Sequence, residues 1–153
     1  MKRCYQCKGE KLEATTVEES RTVAGRTFTG SVPAIRCAAC GELYYPGPAL
    51  VAFDLDVAGE LARHGEASAE SLRFMRKALG LKAAELAELL DVTRETVSRW
   101  EHGQQPVERR AAALSSGMVR DRLDGRTSTL DSLRALLKPD PLPALVRLVP
   151  HAA

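Results

Sequence analysis

The sequence predicts an α+β chain in two parts: a small antiparallel β module clamped by four cysteines, then an all-α domain of about five helices. Three observations predict it. All four cysteines fall in two Cys-x-x-Cys pairs, Cys4/Cys7 and Cys37/Cys40, which bracket β-branched runs. From Ser71 onward the apolar residues recur every three or four positions, the spacing of a helix face. Turn formers then cut that stretch into helix-sized pieces at Gly80, Asp91, Gly103 and Pro106. At 153 residues and 44% apolar composition, the chain can bury one large core or two small ones and is too apolar to stay disordered.

In the first part, Ala14-Thr15-Thr16-Val17 and Arg26-Thr27-Phe28-Thr29 read as strands turning at Ala24-Gly25, the second being followed by Gly30-Ser31-Val32-Pro33. Past Pro46-Gly47-Pro48, the spacing of Leu50, Phe53, Val57 and Leu61 predicts one helix leaving the module. It is expected to end at His64-Gly65 with the glycine as C-cap. A short linker at Glu66 to Glu70 divides a module of residues 1–66 from a helical domain of residues 67–138. In that domain the periodic set is Leu72, Met75 and Leu79, then Leu86 and Leu90, Val97 and Trp100, and Val107, Ala111 and Leu114. Ser128-Thr129-Leu130-Asp131 looks like a capping box for a last helix carrying Leu130, Leu133 and Leu137. In the Pro-rich tail, residues 139–153, Leu142, Leu145, Val146, Leu148 and Val149 are expected to pack on something, a second subunit included.

Net charge is only +2, so its placement matters more than its sum. Residues 51–70 hold five acids against Arg63 alone, whereas residues 71–110 hold eight bases against six acids, making the second stretch the better neighbour for phosphate. No apolar run approaches the roughly 20 residues needed to span a bilayer. Met1-Lys2-Arg3 runs into Cys4 without the apolar segment of a secretory signal, so a cytoplasmic location with reduced thiols is expected. An enzyme is not expected. His64, His102 and His151 are scattered, and Asp54 and Asp56, two apart on a helix, point to different sides.

Two residues between cysteines let one tight turn aim both thiolates at one ion, and two such turns complete a tetrahedral site from Cys4, Cys7, Cys37 and Cys40. Four thiolates close the coordination, so the ion has a structural role: one Zn2+ per chain, standing in for a core that some fifty residues barely supply. Disulfides fit a reduced compartment less well, and a dithiol redox pair needs only one Cys-x-x-Cys, normally at a helix start. Iron in the same cage is left open by spacing alone.

Leu81 to Gly103 carries the pattern of two crossed helices. Ala87 is small where the second helix crosses the first, Leu86, Leu90, Val97 and Trp100 supply the shared core, and Asp91 occupies a turn position that requires positive φ. Thr93 is a suitable N-cap, with Val92 and Val97 placed as a hydrophobic staple. Arg94, Glu95, Ser98 and Arg99 are left on the outer face. Arg suits guanine O6 and N7, and Glu suits cytosine N4, so this face fits a major groove. Lys82, Thr93, Thr96 and Gln104 are candidate phosphate neighbours.

With these residues in view, Leu72 to Gly103 resembles the Xre, or lambda-repressor-like, helix-turn-helix family. The cysteine pairs, with Val32-Pro33-Ala34-Ile35-Arg36-Cys37 and Val92 to Pro106, resemble MqsA-like antitoxins with a YgiT-type zinc finger. The resemblance covers about residues 1–115. It implies zinc on the cysteines, a homodimer on a palindromic operator in double-stranded DNA, and a toxin protein as partner of the N-terminal module. It also places base contacts at Arg94, Glu95 and Arg99 and a buried ion pair at Arg76 and Glu101. Two departures stand out: Lys82-Ala83 where the family has Ser-Gln, and an extension from about Gly117. The function expected is a sequence-specific transcriptional regulator, a repressor and antitoxin. The alternative is an adaptor or inhibitor working through the zinc module.

Overall fold

The computed structural model describes residues 2–148; Val149 and His151, singled out above, lie outside the described residues. Among the described residues, a three-stranded antiparallel sheet, ordered β1-β2-β3, precedes six helices. Strands β1 (Leu12–Val23) and β2 (Arg26–Cys37) form one long hairpin, and β3 (Leu43–Tyr44) pairs only with Ile35 and Arg36. The turn is Ala24-Gly25, with φ of 51° and 70°, the double positive φ that a two-residue hairpin turn needs to match strand twist.

Strand β2 runs further than the sequence suggested. Gly30-Ser31-Val32-Pro33 is not its end: Val32 lies opposite Val17 and Pro33 opposite Thr16. Because β3 reaches no further than Ile35, Pro33 sits in a stretch of β2 with one open edge, where a missing N–H is tolerated.

Along β1, Thr15, Val17, Glu19, Arg21 and Val23 alternate with exposed neighbours and face the same side as Val32 and Ala34 of β2. Helix α1 (Ala49–Arg63) crosses that face. Its Phe53 ring presses on Gly30 so closely that a Cβ there would lie 3.0 Å from Cε2. Arg21 stands over the same ring, 5.4 Å from its centroid, and its Nε donates to Asp54 Oδ1 at 2.8 Å. Tyr45 donates to Glu19, and the Ala24 N–H donates to Glu70 Oε2 at 2.7 Å, so the turn half of the hairpin is pinned to helical residues or their lead-in.

The remaining helices are α2 (Ala69–Ala78), α3 (Ala83–Leu89), α4 (Arg94–Glu101), α5 (Arg109–Leu123) and α6 (Ser128–Leu137). Helix α1 ends at His64 with Gly65 at φ 66°, and α2 begins where the Ser68 side chain accepts the Ser71 N–H. The five helices enclose a core of Leu72, Met75, Leu86, Val97, Trp100 and Val119. Helix α1 belongs to this core as well as to the sheet. Phe53, Val57 and Leu61 meet Val23 and Val32, while Ala58, fully buried, joins the helical core. Gly59 admits Leu123 of α5 so closely that a Cβ would fall 2.4 Å from its Cδ1.

Helix α6 starts at Ser128 itself and not from a capping box at Ser128 to Asp131. Asp131 is engaged by the Thr127 hydroxyl, and the Thr129 N–H is taken by Asp121 Oδ2 of α5 at 2.6 Å. That bond holds the Asp121 carboxyl below the usual range. A long-range cap replaced the local one. After α6 the described part of the tail, residues 139–148, does not pack within the chain: Leu142, Leu145 and Leu148 are 85, 77 and 84% exposed.

Because Ala58 has no room around it, Ala58→Leu is expected to cost about 1–3 kcal/mol by overpacking. A lowered urea midpoint by Trp100 fluorescence checks this; an unchanged midpoint would mean that α1 is not wedged against the helical core.

Candidate metal centre and nucleic-acid interface

The cysteines sit on two turns of matching construction. In the first, Lys8 N–H donates to the Cys4 carbonyl at 3.0 Å and Cys4 N–H to the Gly9 carbonyl at 2.9 Å. In the second, Gly41 N–H donates to the Cys37 carbonyl and Cys37 N–H to the Glu42 carbonyl, each at 2.9 Å. Lys8 at φ 63° occupies the place that Gly41, at φ 78°, takes in the other. The fold brings the turns together because Cys37 closes β2 while the first turn lies beside the short strand β3, through Tyr44.

The four Sγ atoms lie within 4.8 Å of one another, with Cys4 to Cys40 and Cys7 to Cys37 at 3.6 Å, and none forms a disulfide. A tetrahedral ion with metal–sulfur bonds near 2.3 Å would place sulfurs about 3.8 Å apart, so the donor set fits such an ion. Cys4 and Cys37 are buried, whereas Cys7 and Cys40 are exposed. Tyr44 accepts the Tyr5 N–H at 3.0 Å, which leaves its own O–H to donate to Cys4 Sγ, also at 3.0 Å. This bond, helped by the Cys7 backbone, brings the Cys4 thiol down to about 6. Cys40 goes the other way: although the Glu42 backbone favours its thiolate, the thiols of Cys7, Cys4 and Cys37 and burial push it up to about 12. One thiolate forms readily and a second resists, as like charges at this spacing require; a cation among the sulfurs would offset that repulsion. Tyr44 was not singled out from sequence. Only the register that sets it opposite Ile35, two residues before Cys37, shows its reach.

The second cluster is on α3 and α4. Asp91 adopts φ 53° in the turn between them, and the Val92 N–H returns to the Ala87 carbonyl at 3.0 Å. The Thr93 hydroxyl accepts the Thr96 N–H at 3.1 Å, fixing the first turn of α4. Val97 and Trp100 point inward at 0 and 2% exposure, so Trp100 is core. Arg94, Glu95, Ser98 and Arg99 are exposed on the opposite side, Thr96 is half-buried, and Gln104 is exposed just beyond Gly103. Among the described residues, Arg94 and Arg99 form no ion pair. Lys82 is exposed at the N-cap of α3, and Glu85 Oε2 accepts its backbone N–H at 2.6 Å. An ammonium has no acceptor to offer in return, so Lys82 makes half of the reciprocal cap that Ser would complete.

Arg76 and Glu101 are brought together. Nε and Nη2 donate to the two carboxylate oxygens at 2.6 and 2.9 Å, and Nη1 donates to the Leu81 carbonyl at 2.8 Å. One guanidinium thus joins α2, the end of α4 and the entry to α3. The side chains are 11 and 6% exposed. His64 and His102 are exposed C-caps of α1 and α4, and Asp54 is spent on Arg21. No described helix is long and apolar enough to cross a membrane.

Residues 72–116, from α2 into α5, match the helix-turn-helix family model HTH_3. No curated protein matches the chain. The helical part therefore carries a DNA-binding helix-turn-helix of the Xre type, and the cysteine cluster at the other end is fit to hold a metal ion.

Glu101→Ala would leave Arg76 charged and unpaired, at an expected cost of about 3–5 kcal/mol. Chemical denaturation followed by Trp100 fluorescence measures it; a loss under 1 kcal/mol would show that the pair does not tie the helices.

Proposed function

We propose that the chain is a sequence-specific transcriptional repressor, in which residues 67–138 form the DNA-binding domain and residues 1–66 a zinc module. The observation that carries this reading is the outer face of α4: two arginines without ion pairs, a glutamate and a serine, on the second helix of a helix-turn-helix, held by a buried core side. Laid in a major groove, Arg94 and Arg99 read guanine edges, Glu95 accepts from cytosine, and Ser98 adapts to either. Lys82, Thr93, Thr96 and Gln104 stand at the ends of α3 and α4, where phosphate contacts set register. A homodimer reads a palindromic operator with one such helix per half-site, and occupancy of that operator excludes other proteins from it.

The metal is zinc, since four cysteine sulfurs in a closed tetrahedral set suit it and leave no open position for chemistry. A toxin protein as partner of the N-terminal module, and with it an antitoxin role, follows from the resemblance to MqsA-like proteins. A second reading, the adaptor or inhibitor, is favoured by the hairpin, whose twelve-residue strands carry the cysteine end roughly 40 Å from the Ala24-Gly25 turn. That end is remote from α4 and free to meet another protein.

On an operator selected from random sequences, Arg99→Ala is expected to weaken binding by about 1–3 kcal/mol, and far less on random DNA. Equal losses on both, by fluorescence anisotropy, would reject base reading. If an Arg94→Ala, Arg99→Ala double variant keeps its effect in cells, the adaptor reading takes over. Elemental analysis should find one zinc per chain, and loading at pH 7 should release protons, Cys40's among them. Tyr44→Phe should speed zinc transfer to a chelator roughly 10-fold or more, as losses around ligands do; no metal in protein purified without chelator would refute the assignment.

A further inference from the structure

We infer that two copies of the chain exchange their C-terminal segments, residues 139–148 of each lying in the groove between α3 and α6 of the other. The inference rests on the homodimer proposed above and names what holds it together.

The groove has a volume of about 310 Å3. Its apolar floor is Leu81, Leu89 and Leu137; Glu88 of α3 stands on one rim, and Arg134 of α6 with Lys138 on the other. The segment that follows is apolar and uncovered: Leu142, Leu145 and Leu148 are 85, 77 and 84% exposed and Val146 is 48% exposed. Large side chains at this density do not face water by default, and they ask for a surface. The segment is charged in the same pattern as the groove, with Asp140 ahead of the apolar run and Arg147 within it. Asp140 suits the Arg134 and Lys138 rim, and Arg147 suits Glu88.

The occupant is a second copy's tail because the chain's own cannot turn into the groove. Lys138 is both a rim residue and the point of departure. Pro139, Pro141 and Pro143 fix φ at alternate positions and disfavour helical conformation in the residues between them, so the segment leaves stiff and extended. At about 3.1 Å per residue, Leu142 stands roughly 12 Å beyond Lys138 before any apolar contact is offered. A two-fold axis then makes the exchange reciprocal, each copy giving a tail and receiving one. Stiffness also reduces the ordering cost of docking.

The test is sedimentation velocity over a concentration series on the full zinc-loaded chain. Wild type is expected to dimerise, and Leu142→Ser, Leu145→Ser and Leu148→Ser together should raise the dimer dissociation constant at least tenfold with an unchanged circular dichroism spectrum. Arg147→Glu and Glu88→Lys should each weaken the dimer several-fold, and the two in one chain should restore it. A photo-crosslinking residue at position 145, in a mixture of light and heavy chains, should join to α3 or α6 of the other chain. If wild type dimerises and the tail variants stay within twofold of it, the exchange is wrong and the dimer stands. Crosslinks confined within one chain overturn the exchange likewise. A wild type that is monomeric at every concentration and on DNA overturns both.

Discussion

The structure depends on a constraint at α1, a helix that must satisfy two cores at once. Neither the sheet nor the five-helix domain presents a complete apolar surface by itself. Phe53, Val57 and Leu61 close the sheet against Val23 and Val32, and Ala58, with no exposed surface, closes the helical core. The helix can do both because its residues are graded in size. Large side chains fill the gap to the thin sheet, and Ala58 and Gly59 let α5 come within contact on the other side. The polar fastening of Arg21 to Asp54 fixes the rotation of α1 about its axis, which burial alone, being non-directional, does not.

At the far end of the hairpin the economy is different. Beyond Val17 and Val32 the inner face holds little besides Ala34, and the turns themselves bury only Cys4 and Cys37, too few apolar atoms to order two irregular turns. An ion held by the four sulfurs would supply directional bonds where area runs out. Tyr44 serves both regimes: its ring meets Tyr5 edge-on with centroids 5.9 Å apart, while its hydroxyl collects a backbone N–H and supports the Cys4 thiolate.

Much of this was legible in the sequence, and what was not has a common cause. The helices from α1 to α5, the Ala24-Gly25 turn, the positive φ at Asp91 and the cysteine cluster all follow from short-range signals: periodicity, turn chemistry and ligand spacing. The misses involve partners that belong to other elements of the fold. Strand β2 continues past Pro33 because of where β3 stops, α6 is capped by Asp121 from another helix, and Tyr44 reaches Cys4 across forty residues. Lys82 is intermediate: its weak capping is visible from residue type, while Glu85 as the compensating partner is seen only in the fold. At α4 the outer residues were legible by subtraction, since Val97 and Trp100 could face only one way.

The hairpin has a mechanical side. Fastened to α1 by Phe53 and Arg21 and to the start of α2 through Glu70, it is an arm whose base rests on the helix that also packs against α5 and α2. Anything that grips the cysteine end therefore holds the long side of a lever. By geometry alone, a small rotation at α1 would be a wide displacement at that end, some twelve residues of strand away. Because α1 packs on the sheet and on α5 alike, the hairpin and the helical core share one support.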